Sequence, residues 1–351
     1  MNTIIEKITG NALNDDRIIE TAARIISRGG LVVFPTETVY GLGGDAFDKE
    51  AAAKIYAAKG RPSDNPLIVH ISKTEDLKKL TDEIPDKALK LADKFWPGPL
   101  TMIFKKNDKV PYTVTGGLDT VAVRLPSHET ARKFIAASGT FIAAPSANLS
   151  GRPSPTMAEH VIEDLNGRVD MIIDGGSIEI GLESTIVDMT EDIPVILRPG
   201  YITMDMLKGV ISKVRLDKAL MSGVNGDVKP KAPGMKYRHY APEAELTVIE
   251  GDNAKVIDYI NEKAKEAVNN GLKVGIMISK ENYDKILYGE KISIGSSFDE
   301  DEIGRNLFAC LRKFDDMKAD VIYSEGFSED GFGQAIMNRL LKAAGHKMIH
   351  V

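Results

Sequence analysis

The residues able to do chemistry in this chain gather in four short stretches of its first two hundred positions. In Lys59-Gly60-Arg61-Pro62-Ser63-Asp64-Asn65-Pro66, Gly60 and Pro62 end a helix and favour extended chain. Residues two apart in extended chain project to one side, so Lys59 and Arg61 form a paired cationic clamp. Arg offers a planar fork and Lys a point charge, a combination suited to a polyphosphate. A solvated helix end, where cations are also favoured, is the other reading. Ala143-Ala144-Pro145-Ser146-Ala147-Asn148-Leu149-Ser150-Gly151 places Ser146 and Asn148 two apart after an apolar strand. They offer neutral donors and acceptors at a strand end, where open α/β sheets bind ligands, or else a hydroxyl-rich helix cap.

The third stretch, Pro35-Thr36-Glu37-Thr38-Val39-Tyr40-Gly41-Leu42 with Gly43-Gly44, runs an apolar strand into small hydroxyls and then glycines. Glycines admit close approach of backbone to a ligand, or make a tight strand-to-helix turn. In the fourth, Thr120, Ala122 and Arg124 share one face of a strand. An Arg in an otherwise apolar strand needs an anion, either a structural carboxylate or a bound carboxylate ligand. Ser184, Ile186 and Asp188 repeat the arrangement, and Arg198 closes a further strand before Pro199-Gly200. His70 ends an apolar strand, as a satisfied core histidine or a ligand contact.

The elements that must position these residues alternate. Apolar β-branched runs at 31–34, 67–71, 100–104, 121–125, 141–144, 171–173, 186–189 and 195–197 read as strands. Helical patterns fall near 16–28, 48–59, 84–95, 128–137 and 157–165. Strands separated by helices give an α/β layer, and the helix-free pairing at 171–197 makes the sheet mixed. From 211 to 243 Gly and Pro accumulate, which marks a linker. The alternation then restarts as a smaller α/β domain, with strands at 245–249, 273–278, 291–295 and 320–324 and helices at 253–269, 300–316 and 334–344. The expected domains are 1–210, a linker 211–243 and 244–351.

The chain has 351 residues, too many for one average domain. Its 45 Lys and Arg against 51 Asp and Glu give a net charge of −6, which argues against a protein that coats nucleic acid. One cysteine excludes an intramolecular disulfide and a Cys-based zinc site. Cys310 sits at a helical core spacing with Ile303, Leu307, Leu311 and Phe314. No apolar run reaches membrane-spanning length, and no signal peptide is read, so a cytoplasmic protein is expected. There is no phosphate-cradling G-x-x-x-x-G-K-[ST], no G-x-S-x-G elbow and no H-E-x-x-H. Gly331-Phe332-Gly333 reads as a helix start, and Asp299 to Glu302 as acids at the positive end of a helix.

Together these stretches resemble the YrdC/YwlC family of threonylcarbamoyl-AMP synthases. P-T-E-T-V-Y-G-L, K-x-R followed by N-P-L-I-V-H, F-W-P-G-P-L-T at 95–101, V-A-V-R-L-P, A-P-S-A-N-x-S-G, E-S-T-I-V-D at 183–188 and L-R-P-G at 197–200 occur in the family's order. The linker P-G-M-K-Y-R-H-Y-A-P at 233–242 is similar to that of the two-domain long form. The resemblance implies a twisted mixed N-terminal sheet with helices and a smaller Rossmann-like C-terminal domain. It implies synthesis of L-threonylcarbamoyladenylate and pyrophosphate from L-threonine, bicarbonate and ATP, for tRNA threonylcarbamoyladenosine modification completed by other proteins. It makes Lys59, Arg61, Ser146 and Asn148 the catalytic set. Asn65, Thr120, Ser154, Arg198 and Tyr237 join these four on the ATP side. Thr38, His70, Arg124, Ala144 and Ser184 fall on the threonine side, with Ala144 acting through its backbone. Mg²⁺ is expected with ATP, and no protein-bound metal. Weak tRNA contact fits this reading.

Lys229, Lys231, Lys236, Arg238 and His239 form a basic run in the linker, read as a solvated tether or as a lid carrying Tyr237, Arg238 or Tyr240 to the nucleotide. Two other functions compete. One is an RNA-binding module, against which stand the net charge and the lack of aromatic stacking repeats. The other is carbamoyl-phosphate-linked hydrogenase maturation, whose zinc-finger-like segments one cysteine excludes.

Overall fold

In a computed structural model the chain is described over residues 1–218, 220 and 240–351. Among these, the chain forms two compact units. The first takes 1–150, 154–179, 183–218 and 220, and the second takes 151–153, 180–182 and 240–351.

The first unit follows the order β1 (Ile4–Lys7), α1 (Ala12–Ser27), β2 (Val32–Phe34), β3 (Gly41–Asp45), α2 (Lys49–Lys59), β4 (Ile68–His70), α3 (Asp86–Phe95), β5 (Leu100–Lys105) and β6 (Thr120–Arg124). It continues with α4 (Glu129–Ala137), β7 (Ile142–Ala144), α5 (Ala158–Leu165), β8 (Met171–Asp174), β9 (Thr185–Asp188), β10 (Val195–Arg198), α6 (Met204–Lys208) and β11 (Arg215–Leu216). The strands form one mixed sheet in the order β1-β8-β2-β3-β7-β4-β6-β5-β9-β10-β11. Side chains alternate across it. One face packs Val33, Leu42, Val69, Met102, Val123 and Val187 against α2, α3 and α5. On the other face Phe34, Ile142 and Ala144 pack against α1 and α4. Farther along that second face, Ile68, Ile103, Ala122, Ile186, Val195 and Leu197 make a separate apolar floor.

Three expectations change here. Gly41 to Gly44 belong to a strand, β3, which pairs antiparallel with β2 in a hairpin. Their missing side chains make room for the protein itself: a Cβ on Gly43 would stand 2.6 Å from Ile142 Cγ2 and 3.0 Å from Phe34 Cε1. Nor does the chain run extended through Gly60, which is a left-handed C-cap at φ 62° and ψ 37° directly after Lys59. Residues beyond 210 also begin as part of the first unit. Ile211 is buried, and β11 pairs parallel with β10.

The second unit contains β12 (Glu245–Glu250), α7 (Asn253–Asn269), β13 (Val274–Ser279), β14 (Glu290–Gly295), α8 (Glu300–Asp316), β15 (Val321–Glu325), α9 (Gly333–Ala343) and β16 (Met348–His350). Its five described strands are all parallel, ordered β14-β13-β15-β12-β16, and an α-helix joins each successive pair except β13 and β14. Asp299 caps α8 by accepting from Glu302 N at 2.9 Å, so the acidic run serves a helix start. Cys310 is buried, and burial pushes its thiol up to about 12. Tyr240 is spent inside this unit, its ring stacked on Phe308 at 5.1 Å. Tyr237 and the basic run at 229–239 lie outside the described residues. Among the described residues no helix is long and apolar enough to cross a membrane.

Candidate active site

Register builds the site. His70 at the end of β4 pairs with Arg124 at the end of β6, and Arg124 pairs with Thr101 of β5. These residues stand two positions along their strands from Ile68, Ala122 and Ile103, so they share the second face and border its apolar floor. Thr120 opens β6 on the same face and is half-buried.

Arg124 is 4% exposed and heavily engaged. Its Nη1 donates to Thr38 Oγ1 at 2.8 Å, and Nε reaches Gly98 O at 3.4 Å. Nη2 lies 2.8 Å from Glu37 Oε1. Burial pushes the Glu37 carboxyl upward, but the Arg124 guanidinium outweighs it and holds the group below the ordinary carboxylate range. The structural carboxylate that sequence reasoning left open is therefore Glu37. Beside this pair His70 is fully enclosed. Burial first, and the Arg124 charge second, push its pKa down to about 3. A neutral imidazole is the result, with Nδ1 3.3 Å from Ile142 O and the ring edge-on to Phe34. A carbonyl only accepts, so Nδ1 carries the proton and Nε2 is an acceptor.

Past β5 the polar row continues. Ser184 Oγ is 2.7 Å from Thr101 Oγ1, and Arg198 donates to Ser184 through Nε to the carbonyl at 3.0 Å and through Nη2 to Oγ at 3.1 Å. Thr38, His70, Arg124, Ser184 and Arg198 are thus linked along one sheet face. Ser154 Oγ donates to Glu183 Oε1 at 2.5 Å.

The loop after β7 is tied to the hairpin by a bridge between Gly41 and Ser146 and by Ala147 N donating to Tyr40 O at 2.8 Å. Ser146 Oγ donates to Asn148 Oδ1 at 2.5 Å. Lys59, buried at the end of α2, donates Nζ to the carbonyls of Ser146 and Asn148 and to Asn148 Oδ1 at 3.3 Å. Arg61 Nη2 donates to the carbonyls of Asn65 and Pro66 at 3.3 and 3.1 Å. Both cations here organise loops through carbonyl oxygens. The Asn65 side chain is 1% exposed, and neither its Oδ1 nor its Nδ2 has a hydrogen-bond partner. An orphaned buried amide is rare in a native fold, and it fits a ligand's donor and acceptor. Ala144 is buried and backbone-paired with Ile68.

Sequence reasoning missed Glu37, Thr101 and Glu183. Glu37 stood in a quoted motif that was read for its hydroxyls and glycines. Arg124's need for an anion points to some carboxylate but does not single out this one. Thr101 stood only as the last residue of the F-W-P-G-P-L-T motif.

A row of Arg, His and hydroxyl groups at strand ends, beside loops organised by buried cations, makes a site suited to anionic ligands on an α/β sheet. A family model described as telomere recombination, that of the Sua5/YciO/YrdC domain, matches residues 24–200. A second, described as threonylcarbamoyl-AMP synthase, C-terminal domain, matches 202–345. The threonylcarbamoyl-AMP synthase of Pyrococcus abyssi is 51% identical, over 95% of this chain and 96% of its own length. That of Bacillus subtilis is 46% identical, over 97% of each. The crystal structure of P. abyssi Sua5 complexed with L-threonine superposes with a TM-score of 0.93 at 48% identity, covering 100% of both chains. The chain belongs to the Sua5/YciO/YrdC family, in its two-domain form.

Proposed function

We propose that this enzyme converts L-threonine, bicarbonate and ATP into L-threonylcarbamoyladenylate, pyrophosphate and water. The observation that carries the reading is the buried row Thr38–Arg124–Thr101–Ser184–Arg198, which surrounds a guanidinium with hydroxyls beside a neutral His70. The high-identity relatives named above, one of them crystallised with L-threonine, support it. Arg124 receives the threonine carboxylate, while Thr38, His70, Ser184 and the Ala144 backbone shape the pocket for the rest of the amino acid. The ammonium group gives up a proton to become the free amine, which condenses with bicarbonate and loses water to give a carbamate. A carbamate oxygen then attacks the α-phosphorus of ATP, and the bond to the leaving pyrophosphate breaks. Such chemistry depends on positioning and charge stabilisation. Lys59, Arg61, Asn65, Thr120, Ser146, Asn148, Ser154 and Arg198 serve the nucleotide side. Tyr237 is assigned there on resemblance alone.

Mg²⁺ comes with ATP. It would be held chiefly through phosphate oxygens and water, with few protein ligands. The product serves cytoplasmic tRNA modification through separate transfer proteins. The divide between the catalytic domain and the C-terminal domain falls within 211–243.

Pyrophosphate release tests the reading. It should require ATP, L-threonine and bicarbonate together, and Lys59→Ala and Arg61→Ala should each abolish it. Release that is indifferent to the amino acid or to bicarbonate would refute the reaction. Full activity in both variants would refute the nucleotide-side assignment.

A further inference from the structure

The carboxylate of Glu37 is 3% exposed, yet neither of its oxygens accepts a hydrogen bond in good geometry. The main-chain N–H groups of Glu37 and Ser127 lie close enough to favour its charged form. Its one strong partner is Arg124, 2.8 Å away in an ionic contact that is off the hydrogen-bond axis. A carboxylate buried this way is costly unless its charge is needed. Guanidinium has five N–H donors. In Arg124 Nε faces Gly98 O and one Nη1 N–H faces Thr38 Oγ1, while Nη2 completes no hydrogen bond, so each terminal nitrogen keeps an N–H unspent. Two such N–H groups are what a bidentate carboxylate takes.

We infer that Glu37 is a positioning residue for amino-acid capture. Its charge keeps Arg124 buried, ionised and held in one plane, so that the two remaining N–H groups meet the substrate's carboxylate ready-aligned. This inference rests on the reading of Arg124 as the carboxylate's partner. Glu37 touches no substrate itself and acts only through Arg124.

The test measures L-threonine and ATP affinities separately, by calorimetry on the full chain, for Glu37→Gln, Glu37→Asp, Arg124→Ala and the double variant Glu37→Gln/Arg124→Ala. Glu37→Gln should weaken threonine at least tenfold and leave ATP within twofold. Glu37→Asp, which keeps the charge, should recover part of the loss. In the Arg124→Ala background, Glu37→Gln should cost nothing further. Equal weakening of threonine and ATP, or additive effects in the double variant, would overturn the inference and leave Glu37 a structural residue. Unchanged threonine affinity in Arg124→Ala would instead refute the underlying reading of Arg124. Should Glu37→Gln fail to fold, Glu37→Asp decides alone: threonine affinity must fall while ATP affinity holds.

Discussion

His70 shows how one side chain can couple the site to stability. Its folded pKa, about 3, lies below the ordinary 6.5. The unfolded chain therefore binds a proton that the native state refuses, and stability falls as pH drops from about 6.5 toward 3, by at most roughly 1.4 kcal/mol per pH unit. Glu37, with its carboxyl held below 4.5, adds loss in the same direction only under more acidic conditions. Chemical denaturation between pH 4.5 and 7 should accordingly show a slope that His70→Asn reduces; an unchanged slope would mean that His70 is not the group responsible. Asn65 makes a second residue-scale case. Because its amide has no partner at either end, Asn65→Ala should weaken ATP by about tenfold while costing the ligand-free enzyme under ~1 kcal/mol in urea unfolding. A large stability loss would show that the amide serves the fold.

At the scale of elements, the β2–β3 hairpin makes the sharpest demand. Gly43→Ala should destabilise the first unit by roughly 1–3 kcal/mol, because its methyl would enter the space of Ile142 and Phe34. Urea midpoints compared with wild type check this. The same hairpin explains what was illegible in the sequence. Gly-Leu-Gly-Gly-Asp carries no β-branched or alternating pattern, so β3 exists through pairing with β2 and β7 rather than through propensity. β1 escaped for a related reason: it is an edge strand with largely exposed side chains. The longer elements were readable, since α7 and α8 carry a helical apolar spacing and β13 is a continuous, fully buried run. Arg124 was recognised as needing an anion, but only the fold could choose Glu37, because that choice depends on how the hairpin turn meets the end of β6.

At the scale of the molecule, composition and alternation were enough to divide the chain into two α/β bodies. Pattern along the chain could not reveal that 151–153 and 180–182 belong to the second unit, because that is a matter of packing. Arg312, 2% exposed on α8, donates to the carbonyl of Pro153 at 2.7 Å within that unit. Arg312→Ala should leave this carbonyl unsatisfied and cost about 1–3 kcal/mol. A thermal scan with no shift would show that the bond is dispensable. The lone Cys310 offers a different use of the same unit. A thiol with its pKa raised to about 12 is almost wholly protonated near neutrality and is shielded as well. An alkylating or disulfide reagent can label the chain only when α8 transiently leaves its neighbours, so the rate of modification reports the opening free energy of that one region. The protein thus carries its own single-site clock for local unfolding, readable by mass spectrometry without any engineered probe.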